Sequence, residues 1–236
     1  MIKRLPSNII PDCTKKEVIF GWIYLAIHIF LLPLGMAYLE PYLPFAITDS
    51  QANLVYYGIS LTVVLLAFWK LLRREFDHML DHVLTCMKGF FFGNLIWYGL
   101  SIVMTLLMLA FGMNMDSPND QSIDAMAETA YNVTAAISVF MAPILEEILF
   151  RGIAFQSLRR KSRLLAYLVS MGLFAVYHVW QYALVYQDPS YLLYALQYLP
   201  ITFAITWSYE YSGSLWTAIL FHMGNNYLAL TIMQLT

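Results

Sequence analysis

Charge is scarce in this chain. Of its 236 residues only 12% are charged while 60% are hydrophobic, and an ordinary soluble domain carries about 25% charged residues. So few charges cannot cover a soluble globule of this size, which excludes that class and points to an integral membrane protein. A basic excess is missing too: the net charge is −2, so nothing suggests a nucleic-acid partner. There are two cysteines, Cys13 and Cys86, far apart and without CxxC or zinc-type spacing, so neither a disulfide framework nor a structural zinc site is expected. No internal repeat stands out, which weighs against a carrier built from inverted repeats. The opening residues lack the short apolar core and small-residue cleavage site of a signal peptide. The first apolar run, from about Val18 to Leu39, is therefore expected to stay in the membrane.

Long apolar runs are what the chain does have. A helix needs about 20 apolar residues to cross the hydrocarbon core, and that ruler predicts about seven spans, near 18–39, 52–72, 89–112, 130–150, 165–186, 191–209 and 214–234. The expected fold is all-α, a polytopic transmembrane bundle. Segment 73–88 places Phe76, Met79, Leu80, Val83 and Leu84 at helical spacing and is expected as an amphipathic helix at the interface. Segment 153–165, with its basic residues, is read the same way.

The basic residues orient the spans. Lys3, Arg4, Lys15 and Lys16 precede the first, Lys70, Arg73, Arg74 and Lys88 flank the second loop, and Arg151, Arg159, Arg160, Lys161 and Arg163 follow the fourth span. With the N-terminus cytosolic, all of them fall on the cytosolic side. The intervening segments carry only acids, Glu40 and Asp49, then Asp116, Asp120, Asp124 and Glu128, then Asp188.

Against this background, two adjacent glutamates inside a span demand an explanation. In Ala142-Pro-Ile-Leu-Glu146-Glu147-Ile-Leu-Phe-Arg151, a carboxylate at the bilayer centre costs about 2.5–3.5 kcal/mol on insertion scales. Glu147 and Arg151 are four apart and can pair on one helix face. Glu146 points elsewhere and has no local partner, so the two carboxylates sit in different environments, the split that acid/base chemistry needs. His178 in the fifth span and His222 with Asn226 in the seventh are further polar groups that must face the bundle. Each alone reads equally well as an interhelical hydrogen bond. Together they offer a general base, donors for an oxyanion and enough ligands for a metal. No serine or cysteine stands as an obvious nucleophile beside a histidine. The simplest chemistry is attack by water: Glu146 takes the proton, His178 orients the water, and His222 with Asn226 stabilises the oxyanion.

Glu146-Glu147-x-x-x-Arg151, Phe174-x-x-x-His178 and His222-x-x-x-Asn226, in this order on successive spans and with the Gly213-Ser-Leu-Trp lead-in, resemble the CPBP family of intramembrane proteases, also called Abi or CAAX-prenyl-endopeptidase-like. The resemblance covers roughly residues 130–230. It divides the chain into an N-terminal membrane region, 1–129, and a CPBP-like catalytic core, 130–236. It implies a helical membrane endopeptidase whose site lies in a cavity within the bilayer and whose substrate is a peptide or membrane protein. Eukaryotic relatives cut prenylated CAAX proteins, and many bacterial members are linked to bacteriocin immunity or regulation. The resemblance places catalysis on Glu146, Glu147, Arg151, His178, His222 and Asn226. The family is often named metalloprotease, and Glu146, His178 and His222 would be the ligands of a zinc ion. There is no HExxH motif, and a glutamate-activated water without metal is the alternative. A bacterial plasma membrane is the expected location. Two other functions stay open: a non-catalytic immunity or regulatory protein on the same scaffold, and a proton-coupled carrier using the glutamates as relays. Two other polar groups read as bystanders: Asp77, His78, Asp81 and His82 on the wet face of an interfacial helix, and His28 as a single buried contact in the first span.

Overall fold

The computed structural model describes residues 13–113 and 117–234. Lys3, Arg4, the opening residues read for a signal peptide and Asp116 lie outside the described residues. Helices begin where side chains satisfy the first free backbone N–H groups. Thr14 and Glu17 form a reciprocal capping box at the start of α1 (Lys15–Tyr42), and Thr48 with Gln51 does the same for α2 (Asp49–Asp81). A break at His82 (φ −129°) separates α2 from α3 (Val83–Ala110). Ser117 caps α4 (Pro118–Arg159) and Ser162 caps α5 (Arg163–Tyr177). A short α6 (Trp180–Val185) and a 3₁₀ turn at Pro189–Tyr194 lead to α7 (Ala195–Ser212). Gly213, left-handed at φ 73°, closes α7, and Ser214 at once caps α8 (Leu215–Met233).

The fold is all-α, with no strand among the described residues. Each of the seven predicted spans falls on helical segments, the fifth on two of them, α5 and α6. α1 to α4 are long and apolar enough to cross a bilayer, and α5 is a shorter apolar helix. The chain is an integral membrane protein.

Three boundaries differ from the sequence expectation. The fourth span does not end at 150: α4 runs on to Arg159, so Arg151 lies inside the bundle, fully buried, and not in the following loop. The fifth span is not one helix to 186. It stops at Tyr177, because His178 Nδ1 takes the Phe174 carbonyl (2.8 Å) and the backbone leaves the helix at Val179 (φ −131°). Segment 73–88 is shared between two helices: 73–81 continues α2 beyond a bend at Phe68 (φ −113°), and 83–88 opens α3. Its stripe of Phe76, Leu80, Val83 and Leu84 is exposed, as suits a face turned to lipid.

α4 is the central rod. Its most apolar window is 61% buried, against 11% for α3, which lies on the rim with Phe91, Leu95, Ile102 and Leu106 turned outward. Leu145, Ile148, Leu149, Phe150, Ile153, Ala154 and Phe155 of α4 are fully enclosed by α1, α2, α5, α7 and α8. At one end of the bundle Trp22 donates to Ser157 (3.1 Å), Arg74 pairs with Glu17 (3.5 Å), and Arg159, Arg163 and Tyr167 converge on Glu210. The segments that the charge pattern assigned to one side are therefore together in space.

Candidate active site

The site grows from the middle of α4. Pro143 has no N–H for the carbonyl four residues back, and a stretch of wide π turns, Ala136–Met141, lies directly before it. A second wide stretch, Glu147–Phe155, follows, and all nine of its residues are buried. Such turns are rare and frequent at functional sites. Here they present Glu146, Glu147 and Arg151 to the space between α4, α7 and α8.

Glu147 and Arg151 form the predicted pair, Arg151 Nη1 donating to Glu147 Oε1 at 2.9 Å with both side chains fully buried. A buried guanidinium is stable only when its remaining donors are also used. α7 supplies the acceptors: Arg151 Nη2 donates to the Thr202 hydroxyl (2.6 Å) and carbonyl (3.2 Å), and Nε to the Thr206 hydroxyl (3.3 Å). The Phe174 ring of α5 lies 4.5 Å beneath the guanidinium carbon.

His222 of α8 joins the two carboxylates. With Nδ1 carrying the hydrogen, it donates to Glu147 Oε1 at 2.8 Å, and its Nε2 lies 4.0 Å from Glu146 Oε2. Glu147 thereby orients His222 as well as pairing with Arg151. Glu146 is 2% exposed, yet its Oε2 has no hydrogen-bond partner, and neither has Oε2 of Glu147. Buried acceptors left open in this way need an explanation.

The other two predicted residues are placed nearby but differently engaged. His178 and His222 flank the same Phe174 ring, at 4.6 and 5.8 Å between centroids. His178 is held by its bond to the Phe174 carbonyl and by stacking on Tyr198 (4.5 Å), which leaves Nε2 as its uncommitted nitrogen. Asn226 donates to the Ser138 carbonyl at 2.8 Å, clasping α8 to the wide turn of α4. The described residues thus bring Glu146, Glu147, Arg151 and His222 into one connected group, with His178 across Phe174 and Asn226 one turn along α8.

Residues 129–228 match the family model described as Rce1-like, type II CAAX prenyl endopeptidase. Over these residues, fewer than half of the chain, the protein is similar to the Rce1-like family. No curated protein and no solved structure matches the chain. The match begins within α4 and takes in all three motifs, and it agrees with the CPBP resemblance read from them. The Rce1-like segment is a CAAX-type protease scaffold.

A zinc ion needs nitrogen and oxygen ligands at about 2.0–2.2 Å, usually three of them in a catalytic site. Among the described residues no three His, Cys, Asp or Glu side chains are gathered in that way. The Nδ1 bonds of His222 to Glu147 and of His178 to the Phe174 carbonyl leave both Nε2 atoms available, as in metal-ligating histidines, but with Glu146 they are not gathered into a ligand shell. The same holds for His78 and His82, whose rings stack at 4.3 Å.

Sequence reasoning missed Thr202 and Thr206. They stand four apart, the spacing that puts both on one face of α7, but two threonines in an apolar helix carry no signal until the guanidinium they serve is known.

Proposed function

We propose that the chain is an intramembrane endopeptidase in which Glu146 activates a water molecule against a peptide carbonyl. The observation that supports this best is the buried, unpartnered Oε2 of Glu146, 4.0 Å from Nε2 of a histidine whose other nitrogen is fixed by Glu147. That gap suits a water held by both groups. Glu146 removes its proton as the oxygen attacks the carbonyl carbon, giving a tetrahedral oxyanion. The Glu146 proton then passes to the leaving nitrogen as the C–N bond breaks, and a carboxylic acid and an amine result. His178 orients the water through Nε2. The second amide hydrogen of Asn226 stabilises the oxyanion, joined by His222 when Nε2 carries a hydrogen as well as Nδ1. Glu147 and Arg151 hold His222 and the charge balance. The catalytic core is 130–236, with 1–129 as the membrane region against which it packs. The N-terminus is cytosolic, and a bacterial plasma membrane is the expected setting.

The name of the matching family points to prenylated CAAX peptides as the first substrates to offer. The test compares the purified protein with Glu146→Gln on a fluorogenic prenylated CAAX peptide and on a pool of hydrophobic peptides, each with and without a chelator. Cutting by the parent and not by the variant supports the reading. Equal cutting by both removes Glu146 from the chemistry, and loss of cutting with chelator replaces the side-chain route by a metal-dependent one. A phenotype in cells that survives both Glu146→Gln and His178→Ala would make the protein a non-catalytic immunity or regulatory factor.

A further inference from the structure

Outside the Rce1-like match, a second buried polar array runs through α1 and α2 and ends beside the site. Tyr57 Oη of α2 lies 3.2 Å from Tyr177 Oη at the end of α5, and Tyr177 Oη lies 3.4 Å from Tyr56 Oη. Tyr56 Oη in turn lies 3.0 Å from His28 Nδ1 and 3.0 Å from the His28 carbonyl. His28 is fully buried in α1, in the wide turn Ile27–Leu31, and its ring packs on Tyr56 (5.0 Å) and Tyr177 (5.3 Å). Three helices are therefore tied at one point by four protic side chains. His28 has the buried contact that the sequence suggested, but it is the end of a chain and not a lone bond.

The place where this chain ends is where α5 breaks. The residue after Tyr177 is His178, their rings meet edge to face at 5.2 Å, and the backbone departs from the helix at Val179. Phenylalanine at 56, 57 and 177 would fill nearly the same volume without desolvating a hydroxyl. Converging hydroxyls instead fix direction, since each bond constrains the ring that carries it. A broken helix end has lost its backbone ladder, so its geometry depends on such anchors.

We propose that the His28–Tyr56–Tyr177–Tyr57 chain is a positioning device for His178. It fixes the end of α5, and with it the direction of His178 Nε2, so that helices outside the family match are part of the working site. Its effect on rate rests on the peptidase reading, whereas its effect on the His178 ring does not.

The test uses the full chain in detergent with ¹⁵N-labelled histidine, the His178 ring signal being assigned by its loss in His178→Ala. Tyr177→Phe is expected to move or broaden that signal. It is also expected to lower kcat about ten-fold with KM changed less than about two-fold, as for a misplaced but present catalytic group. In the His178→Ala background the same substitution is expected to add nothing, because the loss runs through that ring. Tyr24→Phe, which removes a hydroxyl bonded to the Ser60 carbonyl (3.5 Å) in the same helices, leaves the His178 signal in place. If Tyr177→Phe does not accumulate, Tyr56→Phe and Tyr57→Phe each cut one link and carry the same expectations. An unmoved His178 signal overturns the proposal whatever the peptide result, and so does an equal loss of kcat with and without His178. A moved signal in a protein that cuts nothing supports the positioning chain and sinks the peptidase reading alone.

Discussion

Two buried carboxylate clusters lie about 10 Å apart along α8, by the rise of a helix between Leu215 and His222, and they are finished differently. At the N-terminus of α8, Glu75 Oε2 accepts the Leu215 N–H (2.8 Å), Oε1 accepts the Tyr209 hydroxyl (3.5 Å), and its carbonyl accepts the Ser214 hydroxyl (3.0 Å). Tyr209 accepts from Gln156, whose Oε1 accepts the Cys13 N–H. Every oxygen of Glu75 is used. Deeper in the bundle, Glu147 uses one oxygen twice and leaves the other open, and Glu146 has an open Oε2. A cluster that only holds helices together closes its hydrogen bonds. One that receives a water and a carbonyl keeps lone pairs in reserve.

The contrast breaks if the two glutamates respond alike. Glu146→Gln is expected to lower cleavage about 10²- to 10⁴-fold, the usual worth of a general base, with no loss in the thermal unfolding midpoint. Arg151→Ala strands Glu147 without its cation and is expected to destabilise the fold by about 3–5 kcal/mol. Pairing it with Glu147→Gln should recover much of that stability but not cleavage, which unfolding and activity measurements on the double variant would read. Glu75→Gln is expected to reverse the Glu146 pattern. It should cost about 1–3 kcal/mol of stability by weakening the bonds to Leu215 and Tyr209, with kcat nearly retained in the folded fraction. A Glu75→Gln protein that is as stable as the parent but inactive would erase the distinction.

The smallest effect is chemical. Burial, with the nearby Glu17 and Glu75 carboxylates adding to it, pushes the Cys13 thiol from its ordinary 9.0 up to about 12. The thiol stays protonated at neutral pH, so maleimide labelling of the folded protein should be slow and should accelerate on unfolding. Because the raised value belongs to the folded state, the unfolded chain sheds its proton first as pH rises above 9.0. The thiol therefore contributes a loss of stability on the alkaline side and none at neutral pH. Rapid labelling of the native protein would show that this end of the bundle is open.

Much of this was legible in the chain. Span length predicted the helical rods. The four-residue spacing of Glu147 and Arg151 predicted their pair, since neighbours on one helix face need no tertiary information. The cost of charge in lipid singled out Glu146, His178, His222 and Asn226 before any fold was known. Other features were not legible. The spacing of α-helix turns separates Glu146 from Glu147, yet His222 reaches both, because the rod there is wound in wide turns and a third helix supplies the imidazole. The end of α5 at His178 was hidden in an unbroken apolar run, where a side chain competes with the backbone for one carbonyl.

The sequence by itself determined the solvent of this protein, its helical content and the short-range pairs, because each follows from composition or from a spacing of a few residues. The tertiary structure alone decided which lone pairs are closed and which stay open. It also assigned Asn226 to Ser138 and Arg151 to two threonines, and it tied Tyr177 to helices outside the matched segment. Those outcomes depend on ångström-scale approach between residues 50 to 150 positions apart, and hydrogen-bond geometry at that precision is set by packing and not by pattern.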